Sequence, residues 1–424
     1  SETRRDEMVN RILLFVFVFI SSGQSFAQCL DPYYPRIYQT YVERDISYGS
    51  DTAYNHTVAN LQMNIWKPIG DNNTSRPIIL WIHGGGFFTG NKNDMDVIAQ
   101  AYAERGYVSA TMSYRLGFYG NLFFGAPFTF DSSEVIRAAY RAVQDAHGAM
   151  RFLKARAAID SSNINLAFVG GASAGSITAM HFTFVDKQSE APINGGAISD
   201  VTTLFGNVQR SDLGSIFGRL NLNGQSSNVL AAVNLFGALL DTSFIEANTD
   251  PALFSYHQTG DGTVGCGYLP GLWNQPMNVS QNYPHLFGSC VINDRMNNLG
   301  YSSQHYQALL YNGNVHGIHD DVLIDTLVAR FLSDILCENI SGTNTVDLPA
   351  VHVYPNPAKG QININIPGKT FSCSMFDVQG RNIIPSTPLL HDYTTLNTTG
   401  VSKGMYLLNI ITDKQLISKR IIIE

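Results

Sequence analysis

An apolar run, NINLAFVG (163–170), meets a helix-forming run, SITAMHFTF (176–184), across only five residues, Gly171-Ala172-Ser173-Ala174-Gly175. A strand turns into a helix over so short a span only where small residues let backbone pass close to backbone. The segment therefore predicts a strand–turn–helix unit in a layered α/β domain, with Ser173 at the apex of the turn. Such a turn presents a serine oxygen at the carboxyl end of a sheet.

The neighbouring sequence repeats the alternation. LQMNIW (61–66) has period two and predicts a half-exposed strand, whereas RPIILWI (76–82) and YVSATMSY (107–114) are continuous apolar or β-branched runs that predict buried strands. Asp131-Ser132-Ser133 supplies N-cap residues for a helix with Ile136, Tyr140, Val143, Met150 and Leu153 on one face. GGAIS (195–199), ALFSYHQT (252–259) and HYQALLYNG (305–313) predict later strands, and 320–337 a closing amphipathic helix. Residues 205–240 have mixed character and read as a small lid. The fold class expected is α/β, with a mostly parallel sheet covered on both faces.

Around 338–349 the pattern breaks into ENISGTNTVDLP, a linker composition. Short period-two runs follow: VHVYP, QININI, SCSMFDV, MYLLNII and SKRIIIE. They predict a small all-β sandwich. At the other end, Arg4, Arg5 and Arg11 precede the apolar run Ile12–Ile20 and the small-residue stretch SSGQSFAQ, the order of a signal peptide, with Met8 as a candidate start. The boundaries expected are a signal peptide at 1–28, an α/β domain at 29–340, a linker at 341–349 and a β-sandwich at 350–424. The apolar run is shorter than the ~20 residues a spanning helix needs, so no membrane span is expected in the mature chain. Export makes the five cysteines disulfide candidates: Cys266 with Cys290, Cys29 with Cys337, and one cysteine left over. A net charge of -7 gives no attraction for nucleic acid.

Three further positions complete a chemistry around Ser173. His83-Gly84-Gly85-Gly86 ends a strand, and its glycines free backbone amides to face a ligand; with Ala174 N–H, those of Gly85 and Gly86 would hold a developing oxyanion. A serine also needs a base and an acid, in the chain order serine, acid, histidine on this kind of sheet. Among eleven histidines, His316 and His319 follow the last strand, and His316 is preferred because Gly317 permits a tight loop. His257 is set aside as lying inside a strand pattern, and His83 as a support for the glycine loop. Asp261, in the turn after ALFSYHQT, is the expected acid, with Asp200 as runner-up. Phe87, Phe88, Tyr114 and Phe118 are expected near the mouth. Together, Ser173, Asp261 and His316 predict acyl transfer through a covalent intermediate, with no cofactor and no metal.

WIHGGGFFTG, SYRLGFYG, QDAHGAMRFLKARAAID and FVGGASAG, in that order, resemble the carboxylesterase and lipase family, type-B and hormone-sensitive-lipase-like esterases included. The segment VNLFGALLDTSFIEANTDPALFSYHQTGDGTV is similar to the acid-bearing strand of bacterial α/β hydrolases, which points to Asp261. The resemblance implies an α/β-hydrolase fold and hydrolysis of carboxylic esters, polysaccharide acetyl or feruloyl esters and polyesters among them. A serine peptidase of the same fold and an inactive surface-adhesion module are the alternatives. VYPNPAKGQININI, FDVQGR and GVSKGMYLLNIITDKQLISKRIIIE resemble the type A sorting domain of the type IX secretion system of Bacteroidetes. That resemblance implies the secretion machinery as a partner and a destination at or beyond the cell surface.

Overall fold

The computed structural model describes residues 33–121, 124–204, 206–342, 352–365, 371–377, 381–389, 393–412 and 416–424. The signal peptide expected at 1–28, and Cys29, lie outside the described residues. The chain divides into two compact units, 1–342 and 343–424.

The first unit is built on eight strands: β1 Gln39–Thr52, β2 Val58–Ile69, β3 Arg76–Ile82, β4 Val108–Met112, β5 Ser162–Ala172, β6 Ala231–Leu235, β7 Ala252–Gln258 and β8 Tyr306–Tyr311. They lie side by side in the order β1-β2-β4-β3-β5-β6-β7-β8. β1 and β2 pair antiparallel, as do β2 and β4. Every pairing from β4 across to β8 is parallel. This strand order and its helical connections are those of an α/β-hydrolase fold.

Among the described residues, five helices of eight residues or more cover the sheet: α1 Asp96–Ala103, α2 Ser132–Ala155, α3 Ala174–Phe184, α4 Ser289–Asn298 and α5 Asp321–Gly342. Because side chains alternate along a strand, β3 feeds two cores. Ile78, Leu80 and Ile82 join the residues of α2 and α3 in one, while Ile79 and Trp81 join those of α1 and α5 in the other. All five are fully buried, and each aliphatic side chain withdrawn in this way contributes roughly 1.5–3 kcal/mol. The N-cap of α2 is Asp131, whose carboxylate accepts the Glu134 N–H at 3.1 Å.

The structure corrects three expectations here. GGAIS does not enter the central sheet: Ile198–Thr203 pairs with Gly206–Arg210 in a separate two-stranded ribbon. The sheet position is taken instead by β6, which lies inside the stretch read as a lid, so 205–240 is not a lid throughout. LQMNIW is part of a longer strand, and the side carrying Asn64 and Trp66 is covered by the start of α1, where both donate to Asp96 Oδ1, so it is mostly buried rather than half exposed.

The second unit contains β9 His352–Tyr354, β10 Gln361–Asn365, β11 Phe371–Asp377, β12 Asn382–Leu389, β13 Tyr393–Asn397, β14 Gly404–Thr412 and β15 Leu416–Ile423. They form two antiparallel sheets, β9-β10-β13 and β12-β11-β14-β15. Ile362 and Ile364 from the first share one core with Met375, Leu408, Ile410, Ile421 and Ile423 from the second. Cys373 is buried in that core as a free thiol, and burial pushes its pKa up to about 11. No helix among the described residues is long and apolar enough to cross a membrane.

Candidate active site

Parallel strands put their carboxyl ends on one edge, and that edge is where open α/β sheets hold ligands. Ser173 follows β5, Asp261 follows β7 and His316 follows β8. The glycine loop follows β3. Ser173 and His316, 143 positions apart, are thereby brought together.

Ser173 has φ 55 and ψ −123, a conformation that L residues rarely adopt. The turn is held from both sides. Ser173 N–H donates to the Leu235 carbonyl oxygen at 3.0 Å, and the Ser173 carbonyl oxygen accepts from Ile177 N–H at 2.9 Å. A Cβ on Gly175 would lie 2.0 Å from the Ile82 carbonyl oxygen, so only glycine lets α3 start this close to β3.

The side chains form an unbroken series. Ser173 Oγ lies 2.7 Å from His316 Nε2, and His316 Nδ1 lies 2.7 Å from Asp261 Oδ2. With Nδ1–H donating to the carboxylate, Nε2 is left to accept from the hydroxyl. A hydroxyl, imidazole and buried carboxylate in series can take a proton from oxygen and stabilise the resulting imidazolium. His316 is further fixed by the edge of the Phe236 ring, centroid to centroid 4.9 Å. Its loop is clamped by Gln258, whose Nε2 donates to Gly317 O at 2.9 Å and whose Oε1 accepts from Val315 N–H at 3.0 Å.

Asp261 is fully buried. Burial pushes its pKa up, but hydrogen bonds from His257 and His316, the His316 charge and the Thr263 N–H outweigh it, leaving the carboxyl at about 2. Thr263 N–H donates to Oδ1 at 2.8 Å and Val264 N–H at 3.2 Å. The ring of His257, which the strand pattern hid, stands behind the acid: its Nε2 lies 3.4 Å from Oδ2 and 2.8 Å from Val264 O, while Nδ1 lies 2.8 Å from Ser289 Oγ. Ser289 Oγ in turn accepts from Asn234 Nδ2, and Asn234 Oδ1 accepts from Ser176 Oγ in the first turn of α3. A buried polar chain thus links the acid's loop to the serine's helix. An alternation pattern cannot find such contacts, because it reports which face a side chain takes and not what it meets there.

Beside Ser173 and His316 lies a cavity of about 380 Å³. Gly85, Gly86 and Ala174 all line it. Ala174 opens α3, so its N–H has no partner within the helix. Gly85 has φ 109 and would place a Cβ 2.2 Å from Thr89 O, so only glycine fits there. His83 stands behind this loop, its Nδ1 2.7 Å from Gly84 O and its ring stacked on Tyr114 at 4.4 Å. Val135, Ile177, Leu272, Tyr283 and Leu286 make the remaining walls largely apolar.

Several candidates fall elsewhere. His319 is stacked on Tyr311 at 3.7 Å and hydrogen-bonded to Tyr256 Oη at 2.9 Å, and it does not line the cavity. Asp200 lies in the separate ribbon. Phe87 and Phe88 line the cavity, but Tyr114 and Phe118 stand behind them: Tyr114 Oη donates to His83 O, and the Phe118 ring packs edge-on to Phe88.

Cys266 and Cys290 are bonded to each other, closing the segment that supplies Leu272, Tyr283 and Leu286 to the cavity. Cys337 is also disulfide-bonded, and Cys29, its expected partner, lies outside the described residues. Replacing Cys266 and Cys290 together by Ser is expected to cost about 3 kcal/mol through the entropy of the opened loop, measured by urea unfolding without reductant. An unchanged midpoint would contradict a structural role for the bridge.

Residues 45–191 match the model of the carboxylesterase family. The chain carries a carboxylesterase-family segment. Residues 352–424 match the secretion system C-terminal sorting domain, which indicates delivery by type IX secretion to the cell surface or outside. Phenmedipham hydrolase of Pseudarthrobacter oxydans is 41% identical over 58 residues, 13% of this chain and 12% of that protein. Gut esterase 1 of Caenorhabditis elegans is 40% identical over 62 residues, 14% and 11% of the two. The chain thus matches about an eighth or less of the length of these curated relatives. Among solved structures, it is similar to a thermophilic esterase of Thermogutta terrifontis in its propionate-bound form, with 17% identity and a TM-score of 0.43 over 71% of this chain and 94% of that one.

Proposed function

We propose that the chain is an exported serine esterase that hydrolyses uncharged carboxylic esters through an acyl-enzyme on Ser173. The observation that carries this reading is the hydrogen-bonded series from Ser173 Oγ through His316 to Asp261, at the wall of an apolar cavity. In the reaction, His316 Nε2 takes the hydroxyl proton as Ser173 Oγ attacks the acyl carbon. The carbonyl π electrons move to oxygen, and the N–H groups of Gly85, Gly86 and Ala174 hold that negative charge. Collapse breaks the ester C–O bond, and the alcohol leaves with the proton from His316. Water then repeats the sequence on the acyl-enzyme, releasing the acid and restoring the serine. Asp261 keeps its charge throughout and orients Nδ1–H.

The cavity supports an uncharged acyl group as the substrate class. Its walls offer little to a charged acyl group, and about 380 Å³ accommodates a short or medium acyl chain or one aromatic ring. Acetyl and feruloyl substituents of polysaccharides, and polyester ends, fit that description. The sorting tail would bring such an enzyme, through the type IX machinery, to polymers outside the cell.

A series of p-nitrophenyl esters from acetate to palmitate tests this. Each methylene that enters the cavity is worth ~0.8 kcal/mol, so kcat/KM is expected to rise about fourfold per carbon and then fall once the acyl chain outgrows the space. Hydrolysis of a peptide p-nitroanilide at a comparable rate would favour a peptidase. Failure on every ester by folded protein would favour the adhesion module.

A further inference from the structure

A second cavity, of about 440 Å³, shares no lining residue with the first. It lies where α2 faces the segment 209–219 and residues 51–56, and five arginines reach it: Arg115, Arg137, Arg141, Arg210 and Arg219. Three of them have carboxylate partners. Arg115 pairs with Asp145 at 2.8 Å, Arg210 with Asp131 at 2.8 Å and Glu134 at 3.2 Å, and Arg219 with Asp51. The other two are held by carbonyls alone among the described residues. Arg137 donates to Asn194 O, Gly196 O and Ser211 O, and Arg141 Nη2 donates to Gly117 O at 2.9 Å.

Arg137 and Arg141 sit one helical turn apart on α2, are 4% and 3% exposed, and face the same space. Like charges at that spacing repel, and Glu134, with Asp212 near Arg137 and Asp145 near Arg141, offsets the two buried cations through space without a direct ion pair among the described residues. Arg141 Nε is buried and has no hydrogen-bond partner among the described residues. Burial first, and then the charge of Arg115, push Arg141 down to about 10, so the protein groups around it under-stabilise its cationic form. A guanidinium is a planar fork suited to two oxygens of one carboxylate or phosphate. The wall also carries His56 and the edge-packed rings of Tyr54 and Tyr119, which offer polar tips and flat surface to a ring-shaped ligand. The volume lies within the range of small-molecule sites and well above that of a bare ion.

We propose that this cavity binds a small oxyanion-bearing ligand of about monosaccharide size, a carboxylate or a phosphate, through Arg137 and Arg141. The site stands apart from the ester-cleaving cavity and does not depend on that reading. It fits an acidic sugar unit or a phosphorylated one.

Calorimetric titration of the full chain at constant ionic strength, with galacturonate, galactose 1-phosphate, inorganic phosphate and neutral galactose, tests the proposal. At least one of the anions is expected to bind saturably at one site, and galactose is not. Arg141→Gln and Arg137→Gln are each expected to weaken binding by at least roughly tenfold, with ester turnover unchanged. Galacturonate alone binding assigns a uronate, galactose 1-phosphate alone a sugar phosphate, and inorganic phosphate binding as well as any of them a bare oxyanion site. Should either variant fail to fold, protection of Arg137 and Arg141 in the wild type from phenylglyoxal, mapped by peptide mass spectrometry, gives the same localisation. No saturable binding of any anion tighter than ~10 mM, or undiminished binding by both folded variants, overturns the proposal.

Discussion

Ser173→Ala is expected to abolish ester hydrolysis, lowering kcat on the order of a millionfold, with circular dichroism and thermal midpoint little changed. The size follows from what the hydroxyl does in the proposed reaction. Without Oγ no acyl-enzyme forms, and His316 has no proton to take, so loss of this one atom silences the other two side chains. Residual turnover would come from the oxyanion-holding amides acting on water alone. Stability is expected to be spared because the strained backbone at Ser173 is held by main-chain bonds to Leu235 and Ile177, which alanine keeps. The check is kcat and KM with p-nitrophenyl butyrate on wild type and variant. A variant retaining a tenth of the wild-type kcat would sink the role assigned to Ser173.

Asp261→Asn is expected to cost roughly ten-thousandfold in kcat with substrate affinity nearly unchanged. The amide can keep the oxygen that accepts from Thr263 and Val264 N–H, so the turn should survive. Its nitrogen would then face His316 Nδ1, donor against donor, and the imidazole would turn over its tautomer and lose the free Nε2. Flipping the amide would instead turn its nitrogen against the Thr263 and Val264 N–H groups, donor against donor again, so that escape carries its own penalty. The same variant has a stability signature. The native carboxyl titrates at about 2, below the ~3.9 of an unfolded aspartate. A depressed acid stabilises the fold above the unfolded value, and that contribution drains away as pH falls from about 4 toward 2. Wild type is therefore expected to lose stability across that window, and Asp261→Asn to lose less across it. Equal acid sensitivity of the two would contradict the assignment of that charge.

What the sequence made legible follows from how local each signal is. The strand–turn–helix setting of Ser173 was legible because its parts adjoin in the chain, and the glycines that permit the turn are part of the signal. Asp261 and His316 were reachable because each follows a strand, so the topology of the sheet constrained them without any knowledge of side-chain contacts. β6 was missed because Ala231–Leu235 lies inside the longer, mostly apolar stretch 229–240, where no polar alternation or turn marks the strand's ends. GGAIS looked equally strand-like, and only pairing partners separate the two. β1 escaped because a long edge strand carries Glu43, Arg44, Asp45 and Asp51 on faces that water or salt bridges satisfy. His257 and Gln258 were invisible for another reason. Their roles lie in contacts to Ser289, Asp261 and residues 315–317, which no pattern along β7 encodes. The arginine cavity was hidden in the same way, since α2 and the segment 209–219 meet only in the fold.

Labelling with a fluorophosphonate, followed by peptide mass spectrometry, is the most direct measurement on the proposed ester-cleaving centre, because it asks which oxygen is made nucleophilic. One adduct per chain is expected, on the peptide containing Ser173, and none after Ser173→Ala or after prior heat denaturation. An adduct on another side chain, or no adduct on protein that still cleaves esters, would contradict the account.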